Sequence, residues 1–512
     1  MTRVQTPISL AVSITGYGKY SAISDYQNLN HGSTSPRLQA HYRDALIIFI
    51  MLALSYAYFI PSVNWNSLSR ISLTAAIVEH GELSIDEYAR AWKMDKAYYR
   101  GHFYCDKAPG LSFSALPAVW LAKKLIKLNV SAAGLTHETL ILILYIATLA
   151  TCGFLTAISG ACLFLIALRI FGSYGGAVLV ALAYGLGTPT WGWATNFVSH
   201  AMSGAWLILG FFLMLVLIET DLTRRAIWVG FAAGLCFGIA TVVEYTAAPA
   251  AALVVAAFSF LLTREKKIEA TFITIFPIIV AGLLIAIPLL AYNRLVFGSA
   301  FTLGYSNLEG FEGMQQGFFG ITWPRFYPLV QIIFGRYRGV LWVAPILTLV
   351  PIAWITLWRE PKFRFILVIT VIIVLYYLLL NASYYYWNGG GSLGPRHITP
   401  MFGFAVLPLA RLWRIANSSG RWLMTSLLVL SAMISLACVS IGMTPYPEIE
   451  DPLFQVVFPQ FFAGQLPTVA KRLLGPSGLA NLLPLFFVWL ICSLTLWWSH
   501  ASAPPAPNIV SA

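Results

Sequence analysis

Charged side chains are scarce in this chain. Asp, Glu, Lys and Arg make up 10% of 512 residues, against about a quarter in soluble domains. That scarcity excludes an ordinary water-soluble protein. Strict apolar–polar alternation is missing too, which excludes a closed β-barrel. Also absent are a P-loop, a zinc spacing, a nucleophile elbow and a dinucleotide fingerprint; the glycine-rich "GGGSLG" at 389–394 precedes no soluble βαβ unit. The six cysteines (Cys105, Cys152, Cys162, Cys236, Cys438, Cys492) lie mostly inside apolar runs. They read as small buried hydrophobes, not as a disulfide or metal framework. Only Cys105 stands in a polar loop.

What is present is apolar: 58% of the residues are hydrophobic and the mean hydropathy is +0.75. Runs of about 17–25 residues, long enough to cross a bilayer as helices, recur from residue 45 to 499. Twelve spans are predicted: Ala45–Pro61, Glu138–Leu168, Tyr174–Pro189, Phe197–Ile218, Ala226–Val242, Thr246–Leu262, Ile268–Ala291, Val340–Trp358, Phe363–Leu380, His397–Leu412, Trp422–Met443 and Leu482–Trp498. The expected fold is all-α, a polytopic transmembrane helical bundle. Its basic residues (net charge +12) gather in short loops at 223–225, 264–267, 358–364 and 411–421, which the positive-inside rule assigns to the cytoplasm. Both termini then lie inside. No nucleic-acid motif accompanies the charge, so nucleic acid is not an expected partner.

The organisation expected is a polar N-terminal segment at 1–42, which lacks the features of a cleaved signal peptide, a transmembrane module at 43–443, a last outer loop and final span at 444–499, and a disordered tail at 500–512. The first outer loop, 62–137, is far longer than a connector needs to be, and it holds six of the chain's 20 acids. Within it "NSLSRISLTAAIVEHG" has Leu68, Ile71, Ala75 and Val78 at helical spacing with Gly81 as a stop, and Leu111–Leu128 is apolar but ends in lysines. Both are expected as helices along the membrane surface.

The residues able to carry chemistry fall in these outer segments. In "CDKAPG", Lys107 stands beside a Pro-Gly turn and a helix start, an anion-binding arrangement, with Asp106 to orient it or accept a proton. His200 and Glu244 are ionisable groups at the edges of apolar runs, where they need a partner or a cavity. The loop after residue 291 offers Asn293, Arg294, Tyr305, Glu309 and Glu312 among glycines and aromatics suited to a sugar ring or prenyl chain. Arg336, Arg338 and Arg396 lie outside against the positive-inside trend, as a phosphate clamp would require. His397 and the cluster Tyr384, Tyr385, Tyr386, Trp387 accompany them.

The stretches "SRISLTAAIVEHGELSID", "DKAPGLSFSALP", "SHAMSGAWL", "NRLVFGSAFTLGY", "RGVLWVAP" and "WNGGGSLGPRHITP", in that order over roughly residues 64–403, resemble the membrane-embedded glycosyltransferases of the GT-C class. Within that class the resemblance is to the group of protein O-mannosyltransferases, the lipid A aminoarabinose transferase and bacterial relatives with a glycosyltransferase family 39 type domain. It implies transfer of a sugar from a polyprenyl phosphate carrier to a hydroxyl of a glycan, lipid or protein outside the cytoplasm, with inversion, in the cell (inner) membrane among its lipids. It also implies Lys107 as a phosphate-contacting residue with Arg396 as a second; the reading of their own loops adds Arg338, Asn293 and Tyr305 to the substrate-binding set.

One departure affects the base. Where family members commonly carry an aspartate after the first span, this chain has "NWNSLSR", and His200 stands where another acid is common. Asp86 is therefore the first choice for the base, with Asp106, His200 and Glu244 as alternatives. The class allows a divalent metal, which no ligand spacing here requires. Two other readings are a lipid-linked sugar transporter or flippase, disfavoured by nearly charge-free spans and no repeat, and an O-antigen ligase or polymerase type enzyme.

Overall fold

A computed structural model describes residues 36–90, 92–220, 224–265, 268–308, 310–475 and 477–501. Most of the N-terminal segment, the tail from residue 502, Glu309, Thr223 and the lysines at 266–267 lie outside that set. Eight of its helices are long and apolar enough to cross a membrane. In chain order the principal elements are α1 (Pro36–Ala57), α2 (Trp65–His80), a hairpin of β1 (Ala97–Tyr99) and β2 (His102–Tyr104), α3 (Gly110–Leu125), α4 (His137–Phe171), α5 (Tyr174–Gly185), α6 (Ser199–Glu219), α7 (Arg224–Val243), α8 (Ala247–Glu265), α9 (Ile268–Phe297), α10 (Phe326–Phe334), α11 (Arg364–Ser383), α12 (Ser418–Ser440) and α13 (Leu483–Ala501). The predicted all-helical bundle is the fold.

Four of the twelve predicted spans are not among those eight helices. Two are the shorter apolar helices at 174–185 and 247–263. Prolines divide the other two. Val340–Trp358 is broken at Pro345 and Pro351, and His397–Leu412 becomes a 3-10 turn (Arg396–Met401) and two short helices around Pro400 and Pro408. A proline has no N–H for the helix ladder, and its ring clashes with the preceding turn.

α6 is the central helix, with 72% of its apolar stretch buried inside the protein against 22% for α9 on the perimeter. Between them α7 lies close to α9 because Gly230, Gly234 and Gly238 make a stripe one turn apart. A Cβ at Gly234 would stand 2.2 Å from the Ile278 carbonyl oxygen, and one at Gly230 2.9 Å from that of Thr274. In a bilayer, where apolar surface gains little from helix contact, such small-residue approaches supply the packing.

The long first loop folds into a compact cap. Asn64 accepts from the Ser67 backbone N–H at 3.0 Å while the Ser67 hydroxyl accepts from that of Asn64, closing a capping box that starts α2. Gly81, at φ 72°, ends it. α2 is more enclosed than a helix resting on a surface, with ten of its 16 residues buried. α3 starts where predicted, and its first turn is seated on the end of α7: a Cβ at Gly110 would meet the Val242 carbonyl oxygen at 2.4 Å. Two apolar cores result, one inside the bundle and one joining α2, the hairpin, α3, the start of α6 and the ends of α7 and α9. Residues 197–202 serve both, Phe197 and Met202 facing the cap core and Val198 and Ala201 the bundle core.

Candidate active site

The buried charge collects where the two cores meet. Lys107 donates to Asp95 Oδ1 at 2.9 Å and to Asp106 Oδ2, and lies 5.7 Å from the centre of the Tyr305 ring. Asp106 is fully buried and takes its second bond from Ser69 Oγ at 2.9 Å. Burial pushes the Lys107 pKa down, but the carboxylates of Asp106 and Asp95 raise it more, so the net direction is up and the ammonium stays charged. Burial raises the Asp106 carboxyl, against the opposing pull of Lys107.

Arg70, the residue after Ser69 on α2, links this group to a second one. It is 2% exposed and donates to Asn66 Oδ1 (3.0 Å), the Ala108 carbonyl (3.1 Å) and Ser199 Oγ (2.9 Å). Ser199 in turn donates to Glu244 Oε2, and His200 Nδ1 stands 3.3 Å from the same oxygen. Burial raises the Glu244 carboxyl, while the His200 imidazole, the Arg70 charge and the Ser199 hydroxyl lower it further, to about 2. The His200 ring meets that of His397 edge-on at 5.2 Å, and His397 meets Tyr384 at 5.3 Å. Arg396 and Lys107 both act electrostatically on His397 and Tyr384. Arg396 has no salt bridge among the described residues, and its Nε and His397 Nε2 are buried without a hydrogen-bond partner.

Asp106, Lys107, His200, Glu244, Tyr305 and Arg396 are thus brought to one place at one end of the spans. Three other predicted residues stand apart from it. Asp86 begins a single helical turn, where it accepts from the Phe103 N–H at 2.5 Å and faces His102 Nδ1 at 2.6 Å, bracing the hairpin. Arg338 is 1% exposed and donates to the carbonyls of Asn388, Tyr337 and Gly390, with its guanidinium 3.6 Å from the Tyr337 ring centre. It fixes the glycine-rich turn beside Arg396. Asn293 is buried and ties the end of α9 to the Ala300 carbonyl at 3.1 Å.

Sequence reading missed Asp95, Arg70 and Ser199. Arg70 had a signal, a guanidinium inside an otherwise apolar helical stretch. Asp95 had none: it reaches Lys107 because its backbone takes φ 60°, which turns the loop back. Among the described residues there is no group of three or more His, Cys, Asp or Glu side chains placed to hold a metal ion.

No family model matches this chain, and no curated protein matches it. Among solved structures it is similar to ArnT from Cupriavidus metallidurans bound to undecaprenyl phosphate, at 15% identity and TM-score 0.47 over 92% of this chain and 78% of that one. The same protein in the apo state gives 16%, 0.49, 90% and 76%. An apo oligosaccharyltransferase from Archaeoglobus fulgidus gives 12% and 0.40 over 81% of this chain and 57% of that one.

Proposed function

We propose that this chain is a glycosyltransferase that moves a sugar from a polyprenyl-phosphate donor to an acceptor hydroxyl, with inversion, on the extracytoplasmic side of the membrane. The observation that supports it is the meeting, at one end of the spans, of Lys107 and Arg396, which has no salt bridge among the described residues, with the Glu244–His200 pair. Transfer needs a cation for the departing phosphate and a base for the acceptor.

In this reading Glu244 holds His200 through Nδ1, which leaves Nε2 to take the acceptor proton. The acceptor oxygen attacks the anomeric carbon opposite the phosphate. The bond to phosphate breaks with its electron pair on the phosphate oxygen, where Lys107 and Arg396 stabilise the charge. Asp106 orients Lys107, and Arg338 positions the turn next to Arg396. His200 takes the base role in preference to Asp86, because Asp86 is engaged by the hairpin and stands outside the charged cluster.

The test is sugar transfer in membranes supplied with a labelled polyprenyl monophosphate sugar. His200→Gln and Arg396→Gln should each lower the rate about 100-fold or more, the scale of general-base catalysis, with the monodisperse folded peak in size-exclusion chromatography retained. Full transfer by both variants refutes the assignment. Movement of intact lipid-linked sugar without covalent transfer refutes the enzyme reading, and use of a pyrophosphate-linked donor alone refutes the monophosphate.

A further inference from the structure

A cavity of about 590 Å³ lies on the far side of the hairpin from Lys96 and Phe103. Its position follows from strand register. β1 and β2 pair antiparallel with Tyr99 opposite His102 and Ala97 opposite Tyr104, so Tyr99, His102 and Tyr104 share one face. That face lines the cavity, with Arg100 from the turn and Arg294 and Leu295 from the end of α9. Phe297 fastens the two walls together, its ring 6.0 Å from Tyr99 and 5.9 Å from Tyr104.

The chemistry of the lining is that of an anion site. Arg100 and Arg294 each meet no carboxylate among the described residues; Arg100 lies 5.1 Å from the Tyr99 ring centre and Arg294 donates one N–H to the Gly298 carbonyl. The acid nearest by hydrogen bond, Asp86, is turned to His102 Nδ1 and leaves the other ring nitrogen for a ligand. Tyr99 and Tyr104 bring hydroxyls. Two guanidiniums in reach of one space fit a phosphate oxygen pair better than a single charge does.

The rim points to a lipid. α9 is a perimeter helix of membrane length, and Leu295, next to Arg294, is 75% exposed. A ligand with its phosphate between the arginines therefore has an apolar edge for its chain to follow. We propose that this cavity binds the phosphate group of an anionic lipid, at a site separate from the Lys107 cluster. The inference stands independently of the transfer reaction.

The experiment uses the full chain in detergent, with dioctanoyl phosphatidic acid and inorganic phosphate as probes, read by native mass spectrometry and by the shift in melting midpoint. Phosphatidic acid should bind the wild type and raise its midpoint, and the R100Q/R294Q double variant should retain at least tenfold less lipid and show no shift. Inorganic phosphate should bind at least tenfold more weakly than the lipid. Equal retention by the wild type and the double variant overturns the proposal. Inorganic phosphate binding as tightly as the lipid overturns the lipid assignment.

Discussion

Arg70 shows how much one buried side chain can organise. Its three hydrogen bonds reach α2, the segment before α3 and the start of α6, so its loss leaves acceptors on three elements without donors. Bonds to charged groups contribute about 1.5–3 kcal/mol each. Arg70→Met should therefore lower the unfolding midpoint by several degrees and reduce transfer, while Arg70→Lys, which lacks the fork, should recover only part of either. Thermal unfolding in detergent checks the first, and a fully stable Arg70→Met contradicts it. Glu244 gives a pH prediction. Its folded pKa, about 2, is below the ordinary carboxyl value of about 4.3. The stability it contributes is complete above the ordinary value and is lost as pH falls toward the folded one. Between pH 5 and pH 3 the wild type should lose more stability than Glu244→Gln; parallel curves contradict this. At this scale the sequence disclosed those groups that are costly in apolar surroundings, Lys107, His200, Glu244 and Arg396. It could not rank the acids, because Asp86 and Asp95 differ only in where a turn sends them.

The elements were legible where one physical rule set them. Long apolar runs became long helices, and the capping box and Gly81 bounded α2 where the spacing of its apolar residues put it. The hairpin was not foreseen, although "YYRGHFY" carries a turn signal: Arg100 and Gly101 both take positive φ, 52° and 92°, as a two-residue hairpin turn requires. The glycine stripe of α7 was also unread, since nothing local separates it from glycines elsewhere in apolar runs. It gives a prediction for packing. Gly234→Leu forces a side chain into the Ile278 backbone and should abolish the monodisperse folded peak in size-exclusion chromatography. The same change at Gly475, where a Cβ meets nothing within 4 Å but φ is 72°, should cost only local strain.

For the whole molecule, the decisive sequence property is the uneven placement of charge, from which the positive-inside rule predicts an orientation. A cysteine at Ser419, in the basic 411–421 loop, should react with a membrane-impermeant maleimide only after the cells are opened. One at Tyr446, 78% exposed in the 444–481 loop, should react in intact cells. The reverse pattern inverts the protein and places the charged cluster in the cytoplasm. How the cap closes over the bundle was beyond the sequence, because it depends on contacts such as Gly110 against Val242 between segments more than a hundred residues apart.

The pairing of Lys107 with Asp95 as well as Asp106 has a consequence for turnover. On the proposed reading, two carboxylates beside the lysine make the resting site a loaded ion exchanger: an arriving phosphate would replace the more accessible carboxylate, Asp95, and would be replaced by it on leaving. Asp95 is then a tethered rival of both donor and spent carrier. Asp95→Asn should strengthen carrier binding and slow its release, lowering the KM for donor and kcat together, measurable in steady-state transfer assays; a higher KM would mean that Asp95 assists phosphate binding instead.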